Sequence, residues 1–389
     1  MSKIKHISGL TPLRGIAALI VLIGHYEFIV TPVLDPNISP VLGKTYLMVD
    51  LFFVLSGFVM YHVYGDFFKE KLDFGRFKKF MRARFARIYP LHVLTLLLVV
   101  GVALIRTNIG KHEGGFFDVA FDFSALPSQL FLTQAMGTHH EATWNTPSWS
   151  ISTEWWAYVL FPLIILFLAR SKSWSRWLVT ALIIGGYISI MYYFQPQFWA
   201  ARWEQLGIPE SVPYPMHIID VITGPAFLRC MCGFVLGMLI YELYVKNWGE
   251  KILQSGFVFL GTWVLLFVLW HFAILPDPIA VFIFGIMILS AAYCKDRVSK
   301  GLNSKPLVFL GDISYSLYLI HMPLLFGFEV IRKIMVDPDP YKTGMIGYDF
   351  PPLAAWSGLF LLLVLSIGLA SLSYYYFETP MRKWLKKSK

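Results

Sequence analysis

The sequence predicts an all-α, polytopic integral membrane protein of about ten transmembrane helices, both termini cytoplasmic, and three observations carry that reading. Of the 389 residues 57% are hydrophobic and 15% charged, with 33 Phe, 20 Tyr and 13 Trp. Soluble globular chains carry about 25% charged residues, so this surface needs lipid around it. Apolar runs of spanning length, about 17 to 25 residues, recur through the chain. Lys and Arg alternate in side: with the N-terminus inside, 25 of the 33 fall on the inner face, which is the bias that orients membrane proteins. The net charge of +9 is therefore a topology signal, and no nucleic-acid partner is expected.

In chain order the spans fall at 11–31, 47–66, 88–106, 149–169, 177–194, 225–244, 255–273, 278–294, 307–330 and 353–377. The first lacks a small-residue cleavage site after a short apolar core and reads as an uncleaved anchor. Between spans the outer loops run over 107–148, 195–222 and 331–352, and the inner face has a basic loop at 69–87. No repeat of 20 to 50 residues and no long linker appears, and the chain stops soon after its last span, so residues 1–389 read as one membrane-embedded domain. Cys230, Cys232 and Cys294 lie in or at the end of spans without metal spacing and read as small buried side chains.

Polar residues inside these spans are costly and mark function by default. The first span, LTPLRGIAALIVLIGHYEFIV, carries Arg14 and His25. Their separation returns a helix to nearly the same face with a rise of about 16 Å, so one stripe presents a cation near the inner end and an imidazole deep in the membrane. The second span opens on Asp50, the fourth carries Glu154 about 8 Å inside the outer boundary, and the ninth places His321 about 21 Å up from the inner one. Ser314, Tyr315 and Tyr318 accompany His321. Two histidines and two carboxylates thus share the outer half of the membrane. A neutral imidazole there can remove a hydroxyl proton, and a carboxylate such as Asp50 or Glu154 would orient it. For His25 alone, a hydrogen-bonded structural histidine is an equal alternative, and Glu154 could simply complement a helix N-terminus.

On the inner face, topology and attraction to anionic lipid account for Lys69, Lys71, Lys78 and Lys79. Arg82, Arg84 and Arg87 differ, being closely spaced guanidinium forks that suit phosphate and run straight into a span. In the outer loops Trp144, Trp199 and Trp203 could stack on sugar rings, although aromatic residues also gather at membrane interfaces. His139-His140-Glu141 lacks a matching partner and reads as solvated, and no metal is expected. The sequence contains no G-x-S-x-G elbow, H-E-x-x-H, phosphate-binding glycine loop or dinucleotide fingerprint.

Five runs in order, LTPLRGIAALIVLIGHY, DLFFVLSGF, RFARIYPLH, WSISTEWW and GDISYSLYLIHMP, resemble the successive signatures of the acyltransferase-3 family of integral membrane O-acyltransferases, over residues ~10 to ~385. The resemblance implies transfer of an acyl group, usually acetyl, from cytoplasmic acyl-CoA to a hydroxyl of an extracytoplasmic carbohydrate or glycolipid. It implies Arg14 and His25 in the first span, Arg84 and Arg87 before the third, Glu154 in the fourth, and Ser314, Tyr315 and His321 in the ninth. Ala83 separates Arg82 from Arg84, so both stay candidates for the matching arginine. Some members continue into a further span and a periplasmic hydrolase-like domain; ending in FETPMRKWLKKSK, this chain looks like a stand-alone member.

The assignment is then catalytic His25, Glu154 and Asp50; acyl-CoA binding by Arg14, Arg82, Arg84 and Arg87; and acceptor binding by Ser314, Tyr315 and His321. The donor is a substrate and no permanent cofactor is expected. The expected location is multi-pass in the bacterial inner membrane. A transporter or flippase for a lipid-linked sugar is the competing class, whose internally related halves and paired broken helices are not visible. A scaffold without turnover gives no reason for Arg14 and His25 on one stripe.

Overall fold

The computed structural model describes residues 7–109, 120–139, 141–206, 217–335 and 350–387. Within them every regular element is helical, as the unbroken apolar runs predict. The principal helices are α1 (Leu10–Ile29), α2 (Met48–Phe68), α3 (Phe74–Ile109), α4 (Ser148–Arg170), α5 (Ser175–Ser189), α6 (Gln195–Leu206) and α7 (Ala226–Val245). They continue as α8 (Gly256–His271), α9 (Asp277–Tyr293), α10 (Lys305–Asp312), α11 (Ser314–Met335), α12 (Pro352–Ser373) and α13 (Thr379–Lys387). Among the described residues eight helical stretches are long and apolar enough to cross a membrane, and α8 and α9, which are shorter, occupy the seventh and eighth expected spans.

Helices α2 and α11 form the centre, with 67% and 72% of their apolar windows buried, whereas the α5–α6 and α12 stretches are each 28% buried. Large apolar side chains left open on the outer helices, among them Phe257, Leu353 and Phe360, supply the surface that lipid covers. In lipid the hydrophobic effect does not drive helices together, so close approach of backbones must do it. Two crossings show this. A methyl group at Gly57 of α2 would run into the Phe234 carbonyl of α7, and one at Gly237 of α7 into the Val54 carbonyl of α2. At the second crossing, a Cβ on Gly15 of α1 would lie 2.6 Å from the Gly311 nitrogen of α10.

Several boundaries differ from the sequence reading. The expected basic loop at 69–87 is helical from Phe74 onward and fuses with the third span through Pro90; Arg, Lys, Met and Ala are good helix formers, and hydropathy alone cannot see a helix that leaves the membrane. The fifth span does not end at 194 but turns through a π-helical segment, Ile190–Phe194, into α6. A second π segment, Tyr374–Glu378, joins α12 to α13. Each wide turn contains the carbonyl four residues before a proline, Pro196 or Pro380, which has no N–H to bond it.

The outer segment between α3 and α4 is compact where described. Trp144, a candidate for stacking on a sugar, is fully buried: it packs on Phe121 and Phe123, and its indole N–H donates to the Asp122 carbonyl at 2.8 Å. An indole with one satisfied polar atom gains most by burying the rest. Glu141 is also buried and not solvated as read, while His139 meets the Ser128 hydroxyl at 3.0 Å. Trp199 lies on α6 and not in a loop. His140, residues 110–119 and 336–349, Lys3, Lys5 and the Trp203 side chain lie outside the described residues.

Candidate active site

A cavity of about 190 Å³ lies among the spans, walled by α1, α2, α3, α4 and α11. Its cationic wall is built by Arg14, Arg84 and Arg87. Arg84 and Arg87 are three apart on α3 and so share a face. Arg84 donates to the Tyr64 hydroxyl at 3.0 Å and lies 5.1 Å from the centroid of that ring and 5.8 Å from the Tyr158 ring. Arg87 forms an ion pair with Glu378 and sits 5.3 Å from the Tyr315 ring centroid. Glu378 also accepts from Ser316 at 2.8 Å, so the π segment at 374–378 delivers a carboxylate that fixes Arg87 in the wall. Aromatic faces and one carboxylate thus replace the water that the Arg84 and Arg87 guanidinium groups would lose.

Arg14 is different. It lines the cavity, yet among the described residues it makes no hydrogen bond or ion pair. The carboxylates whose fields reach it are Glu154 and Glu378, opposed by Arg87. Glu154 itself is tied down: the Ser56 and Tyr158 hydroxyls each donate to the same oxygen, Oε1, at 2.5 Å.

Tyr318 and Phe52 also line the cavity. The Tyr318 hydroxyl meets Ser150 at 2.8 Å and donates to the Pro147 carbonyl at 3.0 Å, and Phe52 lies edge-on to its ring at 5.8 Å. Behind Tyr318 stands a pair of histidines. His321 has its ring 6.1 Å from Tyr318 and 4.9 Å from His25. His25 Nδ1 donates to the Val21 carbonyl at 3.0 Å, and His321 Nδ1 to the Leu317 carbonyl at 3.2 Å. Carbonyls only accept, so both imidazoles hold their proton on Nδ1 and present a bare Nε2 lone pair. His25 is partly open and His321 fully buried, its Nε2 without a partner.

The expected site is therefore gathered in two parts. Arg14, Arg84, Arg87, Glu154, Ser314 and Tyr315 line the cavity, while His25 and His321 lie just beyond it. Tyr315 donates to the Ile88 carbonyl at 2.7 Å, and Ser314 Oγ is buried without a partner. Arg82 stands apart, because its Nε–H donates to the Leu385 carbonyl of α13 at 2.9 Å. Asp50 does not orient His25. It is fully buried against Arg229, accepting at 3.1 Å on Oδ1 and 2.7 Å on Oδ2. A buried guanidinium without such a partner would be prohibitively costly, which is the physical reason Asp50 is taken. The carboxylate whose field does reach His25 is Asp220, itself bonded to Arg229 at 3.1 Å.

Arg229, Asp220, Ser56, Tyr158 and Glu378 were not singled out from the sequence. Arg229 had a legible signal, a lone arginine in the apolar run AFLRCMCGF, which by the rule applied to Arg14 demands a buried partner. Among the described residues no three His, Cys, Asp or Glu side chains converge as a metal site would require.

A family model described as an acyltransferase domain matches residues 7–376. An acyltransferase of Streptomyces mycarofaciens is 26% identical over 353 residues, covering 89% of this chain and 86% of that protein. A protein of Staphylococcus aureus strain COL, provisionally named an O-acetyltransferase, is 25% identical over 398 residues, and the alignment takes in 98% of this chain and 58% of the relative. Protein 2 in the picA locus of Rhizobium radiobacter is 45% identical over 87 residues, 22% of this chain and 40% of that one. The chain thus spans little more than half the length of the staphylococcal relative. No solved structure matches.

Proposed function

We propose, since this chain belongs to the acyltransferase-3 family and is a multi-pass membrane acyltransferase, that it carries an acyl group, acetyl in the first instance, from cytoplasmic acyl-CoA to a hydroxyl of an extracytoplasmic carbohydrate or glycoconjugate, with His25 as general base. The observation that carries this reading is Arg14. A guanidinium that faces an intramembrane cavity without a protein partner leaves five N–H donors for a ligand. The pantetheine arm of acyl-CoA is a slender chain with two amide carbonyls and a thioester carbonyl, all acceptors, and it fits such a slot. Arg84 and Arg87 extend the same wall toward the Lys- and Arg-rich side, where the phosphates would stay.

The chemistry follows from the tautomer. With the Nδ1 proton held by the Val21 carbonyl, His25 Nε2 takes the proton of the acceptor hydroxyl as its oxygen attacks the thioester carbon. The tetrahedral oxyanion collapses, the C–S bond breaks, and the imidazolium returns its proton to the departing thiolate. Atoms and charge balance without a covalent enzyme intermediate. On this reading the thioester approaches His25 past Tyr318 and Phe52; two hydrogen bonds fix Tyr318, which leaves the Phe52 ring as the side chain able to yield.

Surface glycans of cells with and without the protein, compared by mass spectrometry, should differ by acetyl groups. In purified protein, His25→Ala should abolish transfer while insertion and folding persist, and Arg84→Ala should mainly raise the acyl-CoA concentration required. Wild-type turnover by the His25→Ala protein refutes the general-base role.

A further inference from the structure

The terminal helix α13, TPMRKWLKK, has no part in the reaction described above, yet its position is fixed by two ties to the arginine-bearing stretch of α3. Arg82 holds the Leu385 carbonyl at 2.9 Å, and Glu378, immediately before α13, holds Arg87. Arg382 and Lys386 are four apart and share one face of α13, while Trp384 is 63% exposed and points elsewhere. Lys386 directly follows Leu385, whose carbonyl Arg82 holds, so its turn of α13 lies against the arginine-bearing stretch of α3, and the fields of Arg382, Arg84 and Arg87 bear on its ammonium. Glu378 is already engaged by Arg87 and Ser316. Like charges gathered this way repel one another unless an anion joins them, and a planned double tie is an odd way to build repulsion for its own sake.

We propose that Arg382 and Lys386 of α13, together with Arg84, form a phosphate clamp that takes the 3′-phosphate and pyrophosphate of the acyl-CoA nucleotide at the entrance of the cavity. This rests on the acyl-CoA reading above. The clamp adds a second helix to what α3 offers alone, so donor recognition has two separable parts. The cavity reads pantetheine, and the α3–α13 cleft reads phosphate. Lipid headgroups carry the same phosphate chemistry, so the test must tell the two sources apart.

The full-length protein, in nanodiscs of phosphatidylcholine, is titrated calorimetrically with CoA, 3′-dephospho-CoA and pantetheine. Arg382→Ala/Lys386→Ala should weaken CoA about tenfold or more, about 1.4 kcal/mol, should weaken 3′-dephospho-CoA less, and should leave pantetheine unchanged. The charge-preserving pair Arg382→Lys/Lys386→Arg should bind CoA within a few-fold of wild type. An unchanged CoA affinity in the alanine pair, or an equal loss for pantetheine, overturns the clamp. So does a CoA effect that appears only when phosphatidylglycerol is present, which assigns the cations to lipid. Wild-type protein that transfers acyl groups from acyl-CoA while binding CoA no better than pantetheine sinks the clamp and spares the donor reading; wild-type protein that binds none of the three sinks both.

Discussion

Asp50 offers a direct test of whether a carboxylate beside the site serves chemistry or architecture. Both Asp50 and Arg229 are completely buried, and two hydrogen bonds of 3.1 and 2.7 Å join them. Charge-assisted bonds contribute about 1.5 to 3 kcal/mol each, so Asp50→Ala forfeits about 3 to 6 kcal/mol, in line with the roughly 3 to 5 kcal/mol measured when one partner of a buried pair is removed. Asp220, at 3.1 Å from Arg229, keeps a residual hold and places the expected loss toward the lower figure. Removing both charges is a different matter. Asp50→Leu/Arg229→Met replaces a desolvated pair with apolar volume, an exchange that is often neutral or stabilising by about 1 to 4 kcal/mol. Denaturant unfolding in a fixed detergent would measure stability, and acyl transfer would be measured on the fraction that stays folded. The single variant should unfold early, and the double variant should recover both stability and most of its activity. A folded but inactive double variant refutes this reasoning and returns Asp50 to the catalytic group.

Phe52→Trp should slow turnover several-fold without changing CoA binding, because the larger ring obstructs the passage to His25 after the donor has docked; stopped-flow and calorimetry separate the two, and a matching loss of CoA affinity would count against a gate. Trp144→Ala should cost about 3 to 5 kcal/mol of stability as a large buried side chain is lost, with the acceptor preference of the remaining folded protein unaltered. A changed preference on a panel of sugars would restore Trp144 as a contact.

The helical class, the run of long apolar segments and the charged residues that line the cavity were legible because the bilayer imposes one-dimensional rules: length, apolarity and side of charge. Arg14 and Glu154 stood out because charge in a span is rare, Arg84 and Arg87 as closely spaced guanidinium groups running into one, and the structure gathers all four around one cavity. Partner choice was not legible. Asp50 and Glu154 read alike as carboxylates near an outer boundary, but only the register of α2 against α7, set by Gly57 and Gly237, decides that Asp50 meets Arg229. Glu378 was hidden for the same reason, since its contact with Arg87 joins residues nearly three hundred positions apart and depends on a π turn that hydropathy does not register. The burial of Trp144 was not legible because a loop rich in aromatic residues can fold over its own core, and composition does not say which ring goes inside.

The unbroken run of α3 through 36 residues has a mechanical meaning. At 1.5 Å per residue it measures about 54 Å, against a hydrocarbon thickness of about 30 Å. The excess of about 24 Å lies at its basic N-terminal end, which carries Arg76, Lys78 and Lys79, while Arg84 and Arg87 further along the same helix line the cavity. Anionic headgroups repel a highly negative nucleotide over roughly a Debye length, about 8 Å at physiological salt. On the proposed acyl-CoA reading, a helix that projects in this way would collect the donor from beyond that zone and feed only the uncharged tail down into the bilayer.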